Sequence, residues 1–121
     1  STMSEAQSVA DGDVTGSAAD LTAFQQNILA VLSEDPMYGL AIKRELEAYY
    51  GSEVNHGRLY PNLDDLVEDG LVEKSELDKR TNQYELTAAG HDAVLSQLEW
   101  VLDRFASDDA SAAEVRSLLD E

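Results

Sequence analysis

The chain has 121 residues, with 8 Lys and Arg against 25 Asp and Glu, a net charge of −17, and 43% hydrophobic residues. That supports one folded core with no room for a second, and with no cysteine it excludes disulfides, Cys-based zinc sites and thiol switches. No apolar run approaches the ~20 residues of a membrane span, and residues 1–20 lack the basic and apolar regions of a secretory signal. A soluble cytoplasmic protein with no membrane partner is therefore expected.

Residues 1–20 are rich in Ser, Ala, Gly, Asp and Thr without an apolar period, and read as a flexible acidic tail. Thr22 and Gln25 have capping-box spacing, and Phe24, Ile28, Val31 and Leu32 continue one helical face to about Ser33. Asp35-Pro36 interrupts the chain. A second helix is predicted at about residues 38–50, with Ile42, Leu46 and Tyr49 inward and Lys43, Arg44 and Glu47 outward. Gly51 ends it at C′. Asn55 is the predicted cap of a third helix reaching Asp69, with Leu59, Leu63, Leu66 and Val67 on one face. Pro61 falls inside it, removing one bond and crowding the Gly57 carbonyl, so a bent or loosened first turn is expected.

Gly70 stops the third helix. Residues 71–75 and 83–86 are predicted strands of a β-hairpin whose polar tip is residues 78–82. Thr87 caps a long fourth helix, about residues 88–106, and Ser111 with Glu114 is the predicted cap of a short last one. The fold class is mainly α with a small β-hairpin. A winged helix-turn-helix at 21–87 follows the tail at 1–20, and C-terminal dimerisation helices occupy 88–121.

In a winged helix the third helix enters the major groove by its N-terminal residues, and the hairpin tip reaches the backbone or minor groove. Asn55, His56, Arg58, Tyr60 and Asn62 occupy the first two turns of the third helix. Lys79, Arg80 and Asn82 occupy the tip, and Lys43 and Arg44 the outer face of the second helix. Arg pairs bidentately with guanine, Asn with adenine, and Lys meets phosphate as a point charge. Six of the eight basic residues, Lys43, Arg44, Arg58, Lys74, Lys79 and Arg80, lie between positions 43 and 80.

The acids, by contrast, are dispersed, ten of them within 43–80 and nine within 85–121. Dispersal with scarce Lys fits a surface hydrated in molar salt better than an acidic tail or a nucleic-acid mimic. Asp64, Asp65 and Glu68 point away from the Leu59/Leu63/Leu66 face and would repel phosphates there. Readout is thus confined to the first turns and the wing, or cations bridge protein and DNA. As a metal site, the same acids with Asp69 compete with a plain solvated face, which is the favoured reading.

Several residues have blander roles beside the sharp ones. Tyr38 and Tyr60 suit core packing, His56 a polar contact at a helix start, and His91 a partly buried side chain. The two histidines have no ligand spacing, the serines no catalytic context, and no cofactor, metal or catalytic residue is predicted. The chain does not read as an enzyme. In helix four, His91, Leu95, Leu98, Leu102 and Phe105 recur at spacings of four and three, a coiled-coil seam. Val94, Leu98, Val101 and Phe105 form a second seam, while Trp100 and Ala93 lie on another side. Val94, Leu95, Leu98, Val101, Leu102 and Phe105 are the expected homodimer contact, the alternative being a fully buried helix in a monomer.

The stretch Met37-Tyr38-Gly39-Leu40-Ala41-Ile42 resembles the tyrosine-glycine opening of the second helix in PadR-like regulators. Gly57-Arg58-Leu59-Tyr60-Pro61-Asn62-Leu63, closing on Gly70-Leu71-Val72, resembles that family's Leu-Tyr-Pro helix. Tyr84-Glu85-Leu86-Thr87-Ala88-Ala89-Gly90 resembles its wing-to-helix junction, which many winged helices share. The resemblance implies a homodimeric, sequence-specific transcription regulator of a pseudo-palindromic double-stranded DNA site. Its implied setting is a halophilic archaeon under stress, oxidative stress in particular. The competing function is a winged-helix protein-interaction module without DNA binding, which the −17 charge would favour and the clustered bases oppose.

Overall fold

The first helix starts where its backbone finds a local acceptor. In the computed structural model, which describes residues 20–78 and 80–120, α1 (Ala23–Leu32) opens on the predicted capping box. Gln25 N–H donates to Thr22 Oγ1 and Thr22 N–H to Gln25 Oε1, each at 3.1 Å. Residues 1–19 of the expected tail lie outside the described residues, as does Lys79. Phe24, Ile28, Leu29 and Leu32 are buried, whereas Val31 is half-buried. The helices and sheet pack on α1 from several sides, which brings Leu29 into the core beside the predicted stripe.

A two-residue strand, β1 (Met37–Tyr38), leads into α2 (Gly39–Tyr50). Ile42 and Leu46 are buried, but Tyr49, expected inward, is 74% exposed. The core ends one turn earlier, and Tyr50 turns back onto α1 instead. Its ring stacks on Phe24 with centroids 6.1 Å apart, and its hydroxyl accepts from Asn27 Nδ2 at 2.8 Å. Gly51 ends the helix with φ +71°, a conformation that favours glycine.

Helix α3 (His56–Glu68) is capped by Asn55, whose Oδ1 accepts from Gly57 N–H at 2.6 Å. Leu59, Leu63 and Leu66 are buried. Pro61 sits in the second turn without interrupting the helix. Pro61 and Gly57 are both exposed, so the Gly57 carbonyl that loses its donor is open to water.

The hairpin is longer than predicted. Strands β2 (Val72–Asp78) and β3 (Thr81–Leu86) pair antiparallel from Val72↔Leu86 to Asp78↔Thr81, leaving a tip of two residues. Leu77 is an extra residue on β2, between Glu76↔Asn82 and Asp78↔Thr81. At the turn, Asp78 Oδ1 accepts from Arg80 N–H at 2.9 Å. That bond and one from the Thr81 hydroxyl hold the Asp78 carboxyl below its usual range. Strand β1 adds to the far side of β3, with Met37↔Tyr84 and Tyr38↔Gln83, so the sheet order is β1-β3-β2. Two residues carry no alternation, and this third strand has no sequence signature.

Helix α4 (Ala88–Phe105) is fastened to the base of the hairpin. The Thr87 hydroxyl accepts from Gly90 N–H at 3.0 Å and donates to the Gly70 carbonyl at 2.7 Å, and Thr87 N–H donates to the Leu71 carbonyl at 3.1 Å. Gly90 and Ala93 are buried, but His91, expected to be partly buried, has 65% of its side chain exposed.

Helix α5 (Asp109–Leu119) is capped by Asp108, not by Ser111 with Glu114. Asp108 Oδ1 accepts from Ser111 N–H at 2.8 Å, which lowers its carboxyl pKa. A carboxylate also suits the positive end of the helix dipole, so it prevails over the hydroxyl. The core runs from Phe24 to Ala93, and α5 buries no residue.

Candidate nucleic-acid interface

At 3.6 residues per turn, α3 presents three outward strips beside its leucine face. His56 and Tyr60 form one, Arg58 and Asn62 another, and between them lie Gly57 and Pro61, which project little. The structure gives the two polar strips different neighbours.

The His56/Tyr60 strip faces α2 and the wing. The two rings lie 4.3 Å apart, centroid to centroid. Tyr60 is half-buried with its ring tip on Gly39, where a Cβ would sit 2.9 Å from two ring carbons and closer still to the hydroxyl. The tyrosine-glycine and Leu-Tyr-Pro segments are thus two halves of one contact that sets α3 against the start of α2. Beyond it opens a cleft of about 440 Å³, which Tyr38, Leu40, Tyr60, Leu77, Arg80 and Asn82 help to line. The cleft joins one strip of α3 to the wing tip. Leu40 and Leu77, both about half exposed, were absent from the sequence-predicted site. Their signal, a single leucine in the first turn of a helix or near the end of a strand, is too common to single them out.

The Arg58/Asn62 strip faces α1. The Arg58 guanidinium carbon lies 3.9 Å over the centroid of the Phe24 ring. Asn62 Oδ1 accepts from Gln25 Nε2 at 3.0 Å, and Asn62 Nδ2 donates to the Arg58 carbonyl at 2.8 Å.

Two further predicted residues are engaged within the fold. The Asn55 side chain is the α3 cap. Lys43 pairs with Glu47 at 2.8 Å, and Glu47 also accepts from Val54 N–H at 2.9 Å, which together hold its carboxyl below the usual range. That bracket ties α2 to the loop before α3. Arg44 and Arg80 make no ion pair among the described residues, and neither does Arg58. Asp64 lies close enough to Tyr84 for its charge to join burial in raising the tyrosine pKa. No group of three His, Asp or Glu among the described residues is placed to hold a metal. No helix there is long and apolar enough to cross a membrane.

A second surface runs along α4. Val94 is half-buried against the core, while Leu95, Leu98, Val101, Leu102 and Phe105 are 38–53% exposed. Beside them α1 and α4 border a groove of about 470 Å³, lined in part by Leu21, Leu29, Val94 and Leu98. Trp100 lies off this seam, with the Arg104 guanidinium 4.1 Å over its ring.

Fold and motifs together define a winged-helix transcription regulator, and the chain belongs to the PadR-like family of transcriptional regulators, whose model matches residues 28–96. This is a family of regulators, not enzymes. The chain is similar to RosR of Halobacterium salinarum: a structure grown from NaBr shows 66% identity and a TM-score of 0.83, over 85% of this chain and 94% of that one. A complex structure of hsRosR-S4 shows 64% identity and a TM-score of 0.86, over 88% of this chain and 93% of that one. A PadR-like transcription factor from Bacteroides fragilis is more distant, with 25% identity and a TM-score of 0.55 over 80% and 86%. No curated protein matches significantly.

Proposed function

We propose that this regulator is a homodimer that reads a pseudo-palindromic double-stranded DNA site with the first two turns of α3 and with the wing. The observation that carries the proposal is the shared cleft between α3 and the wing tip, with Arg58 and Arg80 outside any ion pair among the described residues. His56, Arg58, Tyr60 and Asn62 meet base edges, whereas Arg44, Lys79, Arg80 and Asn82 position the backbone or enter the minor groove. Lys43 and Asn55 act through the bracket and cap they form. The exposed α4 face supports dimerisation, because the described residues leave it uncovered. Two copies then present two α3 helices to successive half-sites.

The net charge of −17 and the likeness to a Halobacterium protein support work in concentrated salt. There, cations bridging Asp64, Asp65 or Glu68 to phosphate would relieve the local repulsion. A stress response fits the same resemblance, and without cysteine its signal cannot be read by a thiol. Competition binding against a randomised site tests the proposal. Arg80→Ala should weaken all sequences alike. Arg58→Ala should change the preferred sequence, losing about 1–3 kcal/mol of discrimination at one base. A protein that fails to bind DNA at any salt concentration would instead support the protein-interaction module.

A further inference from the structure

The geometry points to α1 as the element that aims the readers of α3, with Phe24 and Gln25 as positioning residues for Arg58 and Asn62. The inference rests on the reading that these two side chains meet bases.

A guanidinium has a flat face, which an aromatic ring attracts, and an edge that carries all its N–H donors. Phe24 holds the face of Arg58 at 3.9 Å. The edge, which is what guanine O6 and N7 require, meets no ion-pair partner among the described residues. The ring is itself fixed, being 4% exposed and stacked on Tyr50, whose hydroxyl is bonded to Asn27. Arg58 is therefore seated on a ring whose position is set by α1.

The amide of Asn62 is aimed by a relay that begins and ends in backbone. Thr22 N–H donates to Gln25 Oε1, which fixes the Gln25 amide. Gln25 Nε2 then donates to Asn62 Oδ1, and Asn62 Nδ2 donates to the Arg58 carbonyl. Turning either amide over would set donor against donor or acceptor against acceptor. Each end of Asn62 keeps one further valence, an acceptor lone pair and an N–H. These are what adenine N6 and N7 ask for. Gln25 thus closes the capping box with its oxygen and orients a reader with its nitrogen.

Two substitutions separate aiming from stability. Phe24→Leu keeps an apolar core residue and removes the ring face. Gln25→Glu keeps the capping acceptor but turns an acceptor toward Asn62 Oδ1, so the Asn62 amide must invert. The full chain and each variant are titrated against a randomised DNA pool in molar KCl, with unfolding temperature and helicity checked. Phe24→Leu should lower preference for the base chosen by Arg58 about two- to fivefold, with affinity for random DNA unchanged. In an Arg58→Ala background it should have no further effect. Gln25→Glu should alter preference only at the Asn62 position, and not in an Asn62→Ala background. Unchanged preferences in Phe24→Leu and Gln25→Glu, beside changed ones in Arg58→Ala and Asn62→Ala, overturn the inference alone. Effects that add fully to those of the alanine variants overturn it as well. If Arg58→Ala and Asn62→Ala leave preference intact, the reading of α3 falls and this inference with it.

Discussion

Gly90→Ala is expected to destabilise the protein although it removes a glycine from a helix. In an open helix interior the change gains about 0.8–1.0 kcal/mol. At Gly90 the added methyl would run into the Leu71 carbonyl oxygen and lie 2.8 Å from Leu86 Cδ1. That carbonyl accepts from Thr87 N–H at 3.1 Å, and the Gly70 carbonyl accepts from the Thr87 hydroxyl, so neither backbone group can yield alone. Overpacking costs about 1–3 kcal/mol, and a weakened Thr87–Leu71 bond adds about 1 kcal/mol. After the helix gain, a net loss of about 1–3 kcal/mol remains. For a domain of this size it lowers the unfolding temperature by about 5–20 °C. Gly57→Ala is the internal control, because a Cβ there meets only the Asn55 side-chain oxygen, at 3.1 Å. It should cost much less than Gly90→Ala, because a side-chain oxygen can yield where a bonded backbone carbonyl cannot. Thermal and urea unfolding of both variants in one molar-KCl buffer decides the matter. The reasoning is refuted if Gly90→Ala unfolds at or above the parent temperature, or if Gly57→Ala falls as far.

Leu98→Asp puts a charge into the exposed α4 seam and should convert a dimer to monomer in sedimentation, with Trp100 fluorescence reporting the change; a parent that is monomeric at micromolar concentration refutes dimerisation through α4. DNA affinity should fall weakly, stay level or rise from moderate to molar KCl, since screening relieves repulsion while counterion release opposes binding. Replacing Asp64, Asp65 and Glu68 with Asn, Asn and Gln should restore a negative slope, and a steep negative slope in the parent counts against this account. Glu47→Gln should be less stable than the parent at pH 7. Because the folded pKa of Glu47 lies below its ordinary 4.5, the contribution is present above that value and lost as pH falls through the folded one. The gap between parent and variant should therefore close below about pH 4.5, and a gap that widens on acidification contradicts the bracket.

Local rules made most of the fold legible. The Thr22/Gln25 box, the cap at Asn55, the turn at Gly51 and the cap at Thr87 each depend on residues within a few positions, and each stands where its spacing indicates. What escaped depended on distant neighbours. Tyr49 has inward spacing, but the core stops short of it. Strand β1 exists because β3 offers it an edge. Asp108 took the cap of α5 by charge, against a better-known motif at Ser111. The candidate interface divides in the same way: side-chain types and helix position indicated Arg58 and Asn62, but nothing local indicated that their partners are Phe24 and Gln25, more than thirty residues earlier.

Among the described residues strand β2 pairs with β3 alone, so its outer edge offers backbone donors and acceptors that a second chain could extend into a sheet. Two safeguards stand against this. Four of its seven residues, Glu73, Lys74, Glu76 and Asp78, are charged, and the extra residue Leu77 kinks the strand near its end. The first works by repulsion and hydration, and at 1 M salt its reach shrinks to ~3 Å. The second is a matter of shape, because an incoming strand cannot keep register past the kink. In concentrated electrolyte, resistance to fibrous aggregation at the wing would then depend on backbone geometry, which ions do not screen.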